Sequence, residues 1–564
     1  MLLQQSRHRE NAHRRWECTG NPCEPKFLCV PFQTEVTKVP CSPPNVHHRL
    51  IISAARAARK RYSLFHVFKD TAGEPQGLSV LNRLKTHTFF SKIRTRETLL
   101  VSAIVTLAFS FYLWVFSRNL LITGVDGPYY LIQIRSLLET GGLTYGDPPL
   151  TFYLLTFFTL LAGDITLGVK IGVSLLCALS TVPVFYVMKR LGGFSAGLLA
   201  MLLIVFSAPY LRMMTDFMKN AIGVCWLLGF TYYLHDLVFT GFTKKSLALA
   251  TCLLLLTGLT HILAFAVALL FLGAYTATAL VQGLDRRPIL KTALVLASAT
   301  LIFIVVTATF FGPLFTDFTK IFSFISALTQ PRPLQPLPQQ PPLPGPKPQP
   351  FGPSIADSLS IIGGYGIVLI TLACGACFSY IAWKQADREA STLLAAVTIS
   401  FTAISLPIIP NEWLNRFLLM FVIPTAIIVS YSIPRITTLL NPTTKPTILI
   451  ILGGITLVLF ATQAITIATR LNPTIGPVQY QDLADMKSRI PTNSIIVASP
   501  QGAHYWTQYI TDADVGPLSP TTYQSYSHVF IIFEKSQPPP ILQITRHTII
   551  YVGKAYALAE LRSP

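Results

Sequence analysis

The sequence is poor in charge and lacks the motifs of the common soluble enzymes. Only 12% of its 564 residues are charged, whereas about 25% is usual in soluble globular proteins. It contains no G-x-x-x-x-G-K phosphate loop, no H-E-x-x-H zinc motif and no G-x-S-x-G nucleophile motif, so nothing indicates a nucleotide-driven pump or a common hydrolase. The first long apolar run begins near Leu99, which is too late for a cleaved signal peptide.

Long apolar runs instead follow one another between about residues 99 and 467. A run of about 18 or more apolar residues can cross a bilayer as a helix. The sequence therefore predicts an α-helical polytopic membrane protein with about eleven transmembrane helices. The predicted spans are 99–116, 166–188, 193–209, 217–238, 246–260, 262–282, 289–311, 358–382, 391–409, 414–432 and 445–467.

Basic residues indicate how these spans are oriented. Every loop predicted to face inward has a basic pair, beginning with Lys189–Arg190 and Lys244–Lys245. Because Lys and Arg accumulate in cytoplasmic loops, we expect the N-terminus in the cytoplasm, at a plasma membrane. The alternation requires that residues 149–162 form an interfacial or re-entrant helix. It also favours two crossings over 246–282, broken near His261, rather than one long helix.

The chain divides into three predicted regions. Residues 1–97 hold 17 Lys/Arg and 7 Asp/Glu without clear periodicity, which predicts a basic, disordered cytoplasmic tail. No nucleic-acid-binding motif accompanies that charge, so no nucleic-acid partner is expected. Residues 98–470 form the transmembrane domain, with a first outer loop at 117–165. A Pro-rich outer loop at 330–353 is expected to be an extended spacer.

Residues 471–564 predict a small extracytoplasmic α/β domain. It has no cysteine, so no disulfide supports it. The apolar spacing predicts a helix at 480–490, strands at 494–498, 529–533 and 548–552, and a final helix at 555–561.

Candidate functional residues cluster in the predicted outer loops. The first loop contains Asp126, Tyr129 and Tyr130, followed by Asp147 in a D-P-P sequence. A carboxylate beside aromatic rings at the membrane surface can deprotonate a hydroxyl or bind a metal. The alternative is that Asp126 merely caps the helix that follows it.

The later loops add polar groups. Asp216, Lys219 and Asn220 have the spacing of one face of the next helix, although Asp216 as a helix cap and Lys219 extending to the interface are the alternatives. His261 is a candidate that packing would also explain. Arg416 suits a phosphate, because its planar fork binds oxyanions in bidentate fashion. A pair with Glu412 one turn earlier is the alternative.

This layout resembles the GT-C class of membrane glycosyltransferases, which includes protein O-mannosyltransferases, aminoarabinose transferases and the catalytic subunit of oligosaccharyltransferase. The resemblance covers about residues 90–564. It depends on the D-x-x-Y-Y stretch at Asp126 with its later D-P-P, on Asp216, and on Arg416–Phe417 followed by Pro424. The tail LADMKSRIPTNSIIVASPQGAHYW also resembles the start of the oligosaccharyltransferase ectodomain.

Two elements of the class are missing. The W-W-D-Y-G motif is replaced by SPQGAHYW, with Tyr505 and Trp506 but no adjacent acid, and the second loop has no D-x-D or D-x-E pair. Their absence weakens the case for transfer to Asn and for a divalent metal such as Mg²⁺ or Mn²⁺, which the sequence leaves open.

The resemblance implies a chemistry for these residues. The donor would be a polyprenyl-phosphate sugar and the acceptor a hydroxyl on a protein, lipid or glycan, at the outer face of the bilayer. Catalysis would use Asp126 as general base, with inversion, and a second acidic residue, Asp216. Arg416 and Lys219 would face the leaving phosphate. The further substrate-binding candidates are Asn220, Tyr129, Tyr130, Asp147 and His261. A transporter or lipid flippase is the alternative function, and a non-catalytic scaffold is the third.

Overall fold

The computed structural model describes residues 78–312, 324–326, 354–438, 445–498, 501–517 and 525–561. Most of the predicted N-terminal tail and the Pro-rich segment 330–353 lie outside the described residues. The contacts described below all lie within residues 100–561.

Helices make up the larger part of the described chain. They are α1 Leu78–Ser117, α2 Gly127–Thr140, α3 Leu150–Ala162, α4 Ile165–Leu179, α5 Thr181–Val205, α6 Ala208–Asp216, α7 Met218–Phe239, α8 Lys244–Thr260, α9 Ile262–Val281, α10 Arg286–Phe310, α11 Ile355–Ile361, α12 Tyr365–Lys384, α13 Arg388–Ile404, α14 Asn411–Leu419, α15 Val422–Thr438 and α16 Lys445–Arg470.

Eight helical segments of the described chain are long and apolar enough to cross a membrane. The protein is therefore a polytopic helical membrane protein, as predicted, but the count of eleven spans is not confirmed. One of the eight, Ile165–Val205, contains two predicted spans. Two further predicted spans coincide with α8 and α13, which have 17 residues each and so lie at the short limit for crossing.

A glycine makes the turn between two of the predicted spans. Gly193 has φ +82° and ψ −175°, a backbone conformation that residues with a Cβ rarely adopt. Two contacts show that the chain reverses there. The ring centroids of Phe185 and Phe194 are 6.0 Å apart, and a Cβ on Gly197 would meet Phe185. Ile165–Val205 is thus a bent segment that folds back on itself, as the prediction of two spans requires.

Two other sequence predictions concern short helices. The stretch predicted not to cross forms α3, which has 13 residues and packs on α4, where Cβ atoms on Gly168 and Gly172 would collide with it. The stretch predicted to break near His261 does so, since α8 ends and α9 begins around the extended backbone of His261.

The C-terminal region folds as a helix-flanked mixed sheet. Its elements are α17 Pro477–Lys487, β1 Ser494–Ala498, α18 His504–Thr511, β2 Asp514–Val515, β3 His528–Glu534, β4 His547–Val552 and β5 Tyr556–Leu561. The strand order is β2-β1-β3-β5-β4. Strand β1 pairs in parallel with β2 and β3, whereas β5 pairs antiparallel with β3 and β4.

The prediction of a final helix at 555–561 is wrong, because Tyr556–Leu561 forms strand β5. The sequence YALAEL contains good helix formers, but β5 lies between β3 and β4 and is buried on both faces. Tertiary pairing therefore overrides local propensity here. One sheet face, which includes Phe530 and Leu558, joins the main core of the bundle, so this domain packs continuously with the helices.

Candidate functional site

A close backbone approach places the first loop against the end of α6. Gly124 has φ +96°, and a Cβ there would lie 2.0 Å from the carbonyl oxygen of Thr215, so only glycine fits this position. The next residue, Val125, donates its backbone N–H to Asp216 Oδ1 at 3.2 Å. This contact brings Asp126 beside Asp216.

Asp126 is not a side-chain cap. It occupies the position before α2, but its carboxylate makes no capping hydrogen bond. Its negative charge instead acts on Asp216, Tyr130 and Tyr505. The half-buried carboxylate therefore lies among the residues of three separate segments of the chain.

Asp216 is almost fully buried, with 1% of its surface exposed. Burial raises its pKa from 3.8 to about 6, the charge of Asp126 adds to this, and Arg212 and the Val125 N–H oppose it. An ion pair with Arg212 engages its second carboxylate oxygen. The prediction that Asp216 lies on the next helix or caps it is wrong. Asp216 is the last residue of α6, and Phe217, with φ −134°, interrupts the helical backbone before α7.

Lys219 points into the site rather than toward the interface. Its ammonium group pairs with the buried carboxylate of Asp147, and it lies 5.7 Å and 5.6 Å from the ring centroids of Tyr129 and Phe152. The Tyr129 hydroxyl also donates to Asp147. The Lys219 charge is thus largely neutralised by a residue that the first loop supplies.

Tyr130 links the same loop to the start of α7. Its hydroxyl accepts the backbone N–H of Lys219 at 2.9 Å. Burial, followed by the charge of Asp126, raises the pKa of Tyr130 well above its usual value. The phenol is therefore neutral at physiological pH.

Asn220 and His261, two further predicted site residues, are both buried but differ in their hydrogen bonding. Asn220 is fully buried, and neither polar atom of its amide has a hydrogen-bond partner in the described chain. His261 is buried at the α8–α9 break, where its Nδ1 accepts the backbone N–H of Leu263 at 3.0 Å. That cap gives His261 a structural role, which was the alternative explanation from the sequence.

Arg416 reaches the site from α14. Its guanidinium group lies 4.8 Å from the ring centroid of Phe217, next to Asp216, and its positive charge acts on Tyr130 and Tyr505. No carboxylate among the described residues forms an ion pair with it, so the predicted alternative of a Glu412 pair is not observed. The stacked guanidinium retains N–H groups for an oxyanion.

The C-terminal domain supplies Tyr505, which the sequence analysis named in SPQGAHYW but did not predict as a site residue. Tyr505, on α18, has its ring centroid 5.3 Å from that of Tyr129 and 6.3 Å from that of Tyr145. The Tyr145 hydroxyl donates to Gln508 Oε1. The sequence signal for Tyr505 is its place in SPQGAHYW, the stretch that replaces the W-W-D-Y-G motif. Its contact with Tyr129 and Tyr145 could not be predicted, because these two residues are far from it in sequence.

The site's ligand set fits a divalent metal poorly. Within the described ranges, no group of three or more His, Cys, Asp or Glu side chains has an arrangement that could hold a metal ion. Asp126 and Asp216 are near each other, but Asp216 already bonds Arg212 and Val125. Mg²⁺ and Ca²⁺ ordinarily require more oxygen ligands than this pair offers.

Comparison with known families adds a sequence match within this region. Residues 146–311 match the profile of the family described as dolichyl-phosphate-mannose-protein mannosyltransferase. No curated protein matches the sequence significantly.

Solved structures of an archaeal oligosaccharyltransferase share the fold, and a third structure is less similar. The oligosaccharyltransferase of Archaeoglobus fulgidus in the apo form has a TM-score of 0.56 at 12% identity, covering 77% of this chain and 69% of that chain. The same enzyme, AglB, in complex with an inhibitory peptide and a dolichol-phosphate has a TM-score of 0.54 at 12% identity, with the same coverage. ArnT from Cupriavidus metallidurans bound to undecaprenyl phosphate has a TM-score of 0.46 at 12% identity, covering 82% of this chain and 98% of that chain.

These comparisons confirm the GT-C resemblance predicted from the sequence. The archaeal oligosaccharyltransferase has the same fold over most of this chain, and the family match overlaps the loop that contains Asp147 and the helices that carry Asp216 and Lys219. The protein thus has the fold of this archaeal oligosaccharyltransferase, and residues 146–311 match the mannosyltransferase family.

Proposed function

We propose that the protein transfers a sugar from a polyprenyl-phosphate donor to an acceptor hydroxyl, with inversion at the anomeric carbon. The observation that carries this proposal is that Asp126, which follows the Val125 N–H bound by Asp216, and Arg416, 4.8 Å from the Phe217 ring, both lie at the junction of α6 and α7. The first is an acidic group that makes no cap, and the second is a cation without an ion-pair partner in the described chain. A base and an anion-binding group are the two functions that this transfer requires.

In the proposed reaction the acceptor oxygen attacks the anomeric carbon while its proton passes to the Asp126 carboxylate. The bond between that carbon and the phosphate oxygen breaks, and its electron pair stays on the phosphate. Arg416 offers parallel N–H donors to the growing negative charge, which is worth more in a partly desolvated site than in water. The products are the glycoside and the polyprenyl phosphate.

The remaining site residues position these two. Asp216 holds the backbone of Val125 next to Asp126. Lys219 is bound by Asp147, so we assign it to the architecture of the loop and give Arg416 the main contact with the phosphate. The acceptor is a hydroxyl of a protein, lipid or glycan.

The opposite end of the bundle supports a cytoplasmic N-terminus and an extracytoplasmic site. Arg190 bonds both Asp236 and Glu389 at 3.0–3.2 Å, and Asp236 lies about 26 Å along α7 from Lys219 at 1.5 Å per residue. The Lys189–Arg190 pair of the first predicted inner loop is thus at the end away from the site, which agrees with the positive-inside rule.

Kinetics with defined donors test the proposal. Purified protein in liposomes should transfer label from a polyprenyl-phosphate hexose or pentose to crude acceptor membranes. Because Arg416 would bind the phosphate, Arg416→Gln should lower kcat/KM about 100-fold, on the order of 3 kcal/mol. Glu412→Gln, exposed one turn earlier on the same helix, is the matched control and should behave as wild type. Absence of transfer by the wild type with every donor would refute the function.

A further inference from the structure

Three tyrosine rings from three segments meet beside the proposed catalytic pair. Tyr129 comes from α2, Tyr145 from the loop that follows, and Tyr505 from α18 of the C-terminal domain. The Tyr129 and Tyr145 rings are stacked with centroids 5.6 Å apart, and Tyr505 lies 5.3 Å from Tyr129. All three side chains are half-buried, so part of each is exposed.

The three hydroxyls differ in their partners. Tyr129 donates to Asp147 and Tyr145 donates to Gln508. Among the described residues, none forms a hydrogen bond with the Tyr505 hydroxyl. Burial, followed by the charges of Asp126, Tyr145 and Asp147, raises the pKa of Tyr505, so the phenol keeps its proton. It is a donor that no residue of the described chain uses.

This donor lies beside the proposed catalytic pair. Tyr505 is within electrostatic reach of both Asp126 and Arg416. In the proposed reaction the base faces the acceptor hydroxyl and the guanidinium faces the phosphate. The group that lies between an attacking hydroxyl and a departing phosphate in an in-line displacement is the sugar itself.

We propose that Tyr505 binds the sugar that is transferred. Its hydroxyl donates a hydrogen bond to a sugar hydroxyl, and the tyrosine cluster of Tyr129, Tyr145 and Tyr505 packs against the C–H face of the ring. Aromatic faces carry partial negative charge, which favours contact with the positive edge of C–H bonds. This inference depends on the proposed function and adds the donor's sugar subsite to it.

Several contacts fix α18, the helix that carries Tyr505, to the first loop. Arg135, on α2, donates to the carbonyl oxygen of Tyr509 at 2.8 Å and pairs with Asp512 at 2.6 Å. Its guanidinium also lies 4.8 Å from the Tyr509 ring centroid. Together with the Tyr145–Gln508 bond, these contacts hold the helix that carries Tyr505 against the first loop.

The test separates recognition of the sugar from recognition of its carrier. The KM for polyprenyl-phosphate hexose and the inhibition constant of the sugarless polyprenyl phosphate would be measured for wild type, Tyr505→Phe and Tyr505→Ala. One lost hydrogen bond corresponds to about a 5- to 10-fold weaker interaction. We therefore expect Tyr505→Phe to raise the donor KM by about that factor, with the inhibition constant unchanged, and Tyr505→Ala to raise it further because the ring is also lost.

Tyr509→Phe is the matched control, since it removes a hydroxyl from the same helix and keeps the ring that packs on Arg135. Its constants should equal those of wild type. Equal donor KM in Tyr505→Phe and wild type would overturn the inference, as would parallel weakening of donor and sugarless carrier. A rise in the acceptor KM alone would place Tyr505 at the acceptor and likewise overturn it. Failure of the wild type to use the donor would instead refute the proposed function.

Discussion

The carboxyl group of Asp216 should make the protein less stable at neutral pH than it would be without that charge. Its pKa rises from 3.8 to about 6 on folding, chiefly because the group is buried. A raised carboxyl pKa means that the folded state binds the proton more tightly than the unfolded state does. The contribution of this group to stability is therefore fully present below the unfolded pKa of 3.8 and is lost as the pH rises through about 6.

The magnitude follows from the two pKa values. Well above pH 6 the penalty for the ionised group is about 3 kcal/mol, and near pH 4 it falls to about 0.5 kcal/mol. Asp216→Asn removes the charge while its amide oxygen can still accept the Val125 N–H. The ion pair with Arg212 does not reverse this sign, because the pKa of about 6 already includes its effect.

The assay is thermal unfolding of the purified protein in detergent at pH 8 and pH 4. Asp216→Asn should raise the unfolding midpoint at pH 8 and change it little at pH 4, and it should lower sugar transfer at pH 8, where wild-type Asp216 is ionised. Gain of stability with loss of activity is characteristic of a functional site. Asp285→Asn, at an exposed cap of α10, is the control and should show no pH-dependent difference. A variant less stable than wild type at pH 8 would refute the reasoning.

The other predictions concern buried charges elsewhere in the structure. Lys219→Met or Asp147→Asn alone should lower the free energy of unfolding by about 3–5 kcal/mol, because each leaves the other charge unpaired. In denaturant titrations the double variant should be more stable than either single variant. Additive losses would contradict the pairing. In the C-terminal domain, burial opposes ionisation of Asp482, yet backbone N–H donors from Tyr556, Ala555 and Lys554 hold its pKa below the usual value. The stabilising effect of the Asp482 carboxylate is therefore present at neutral pH and lost as the pH falls through that lowered pKa. Asp482→Asn should reduce the hydrogen-exchange protection of residues 547–561 at pH 7. Unchanged protection would contradict this prediction.

Sequence reasoning recovered the parts of the fold that local pattern determines. The strand predicted at 494–498 is β1, and the break predicted near His261 is where α8 meets α9. The strand at Tyr556–Leu561 could not be predicted in this way, since it owes its conformation to two neighbouring strands. Nor could the reversal at Gly193 be distinguished from a flexible loop by periodicity alone.

The site shows the same limit. The loop residues Asp126, Tyr129 and Asp147 were identifiable because polar groups are conspicuous beside apolar spans. Asp216 and Lys219 were predicted on one helix, whereas the backbone of Phe217 separates α6 from α7 between them. Tyr505 was named in SPQGAHYW but not predicted as a site residue, because Tyr145 and Gln508, which bring its helix to the loop, are 363 positions apart.

The most direct test of the account is sugar transfer by wild type and Asp126→Asn with a radiolabelled polyprenyl-phosphate hexose. A positioned general base contributes about 10²–10⁴-fold to rate, so the variant should lose at least about 100-fold in kcat while unfolding at a temperature close to that of wild type. Asp164→Asn serves as the control, because Asp164 is exposed and caps α4 through Leu167, a role that Asn also fills. Undiminished transfer by Asp126→Asn, under conditions in which wild type is active, would contradict the assignment of the base.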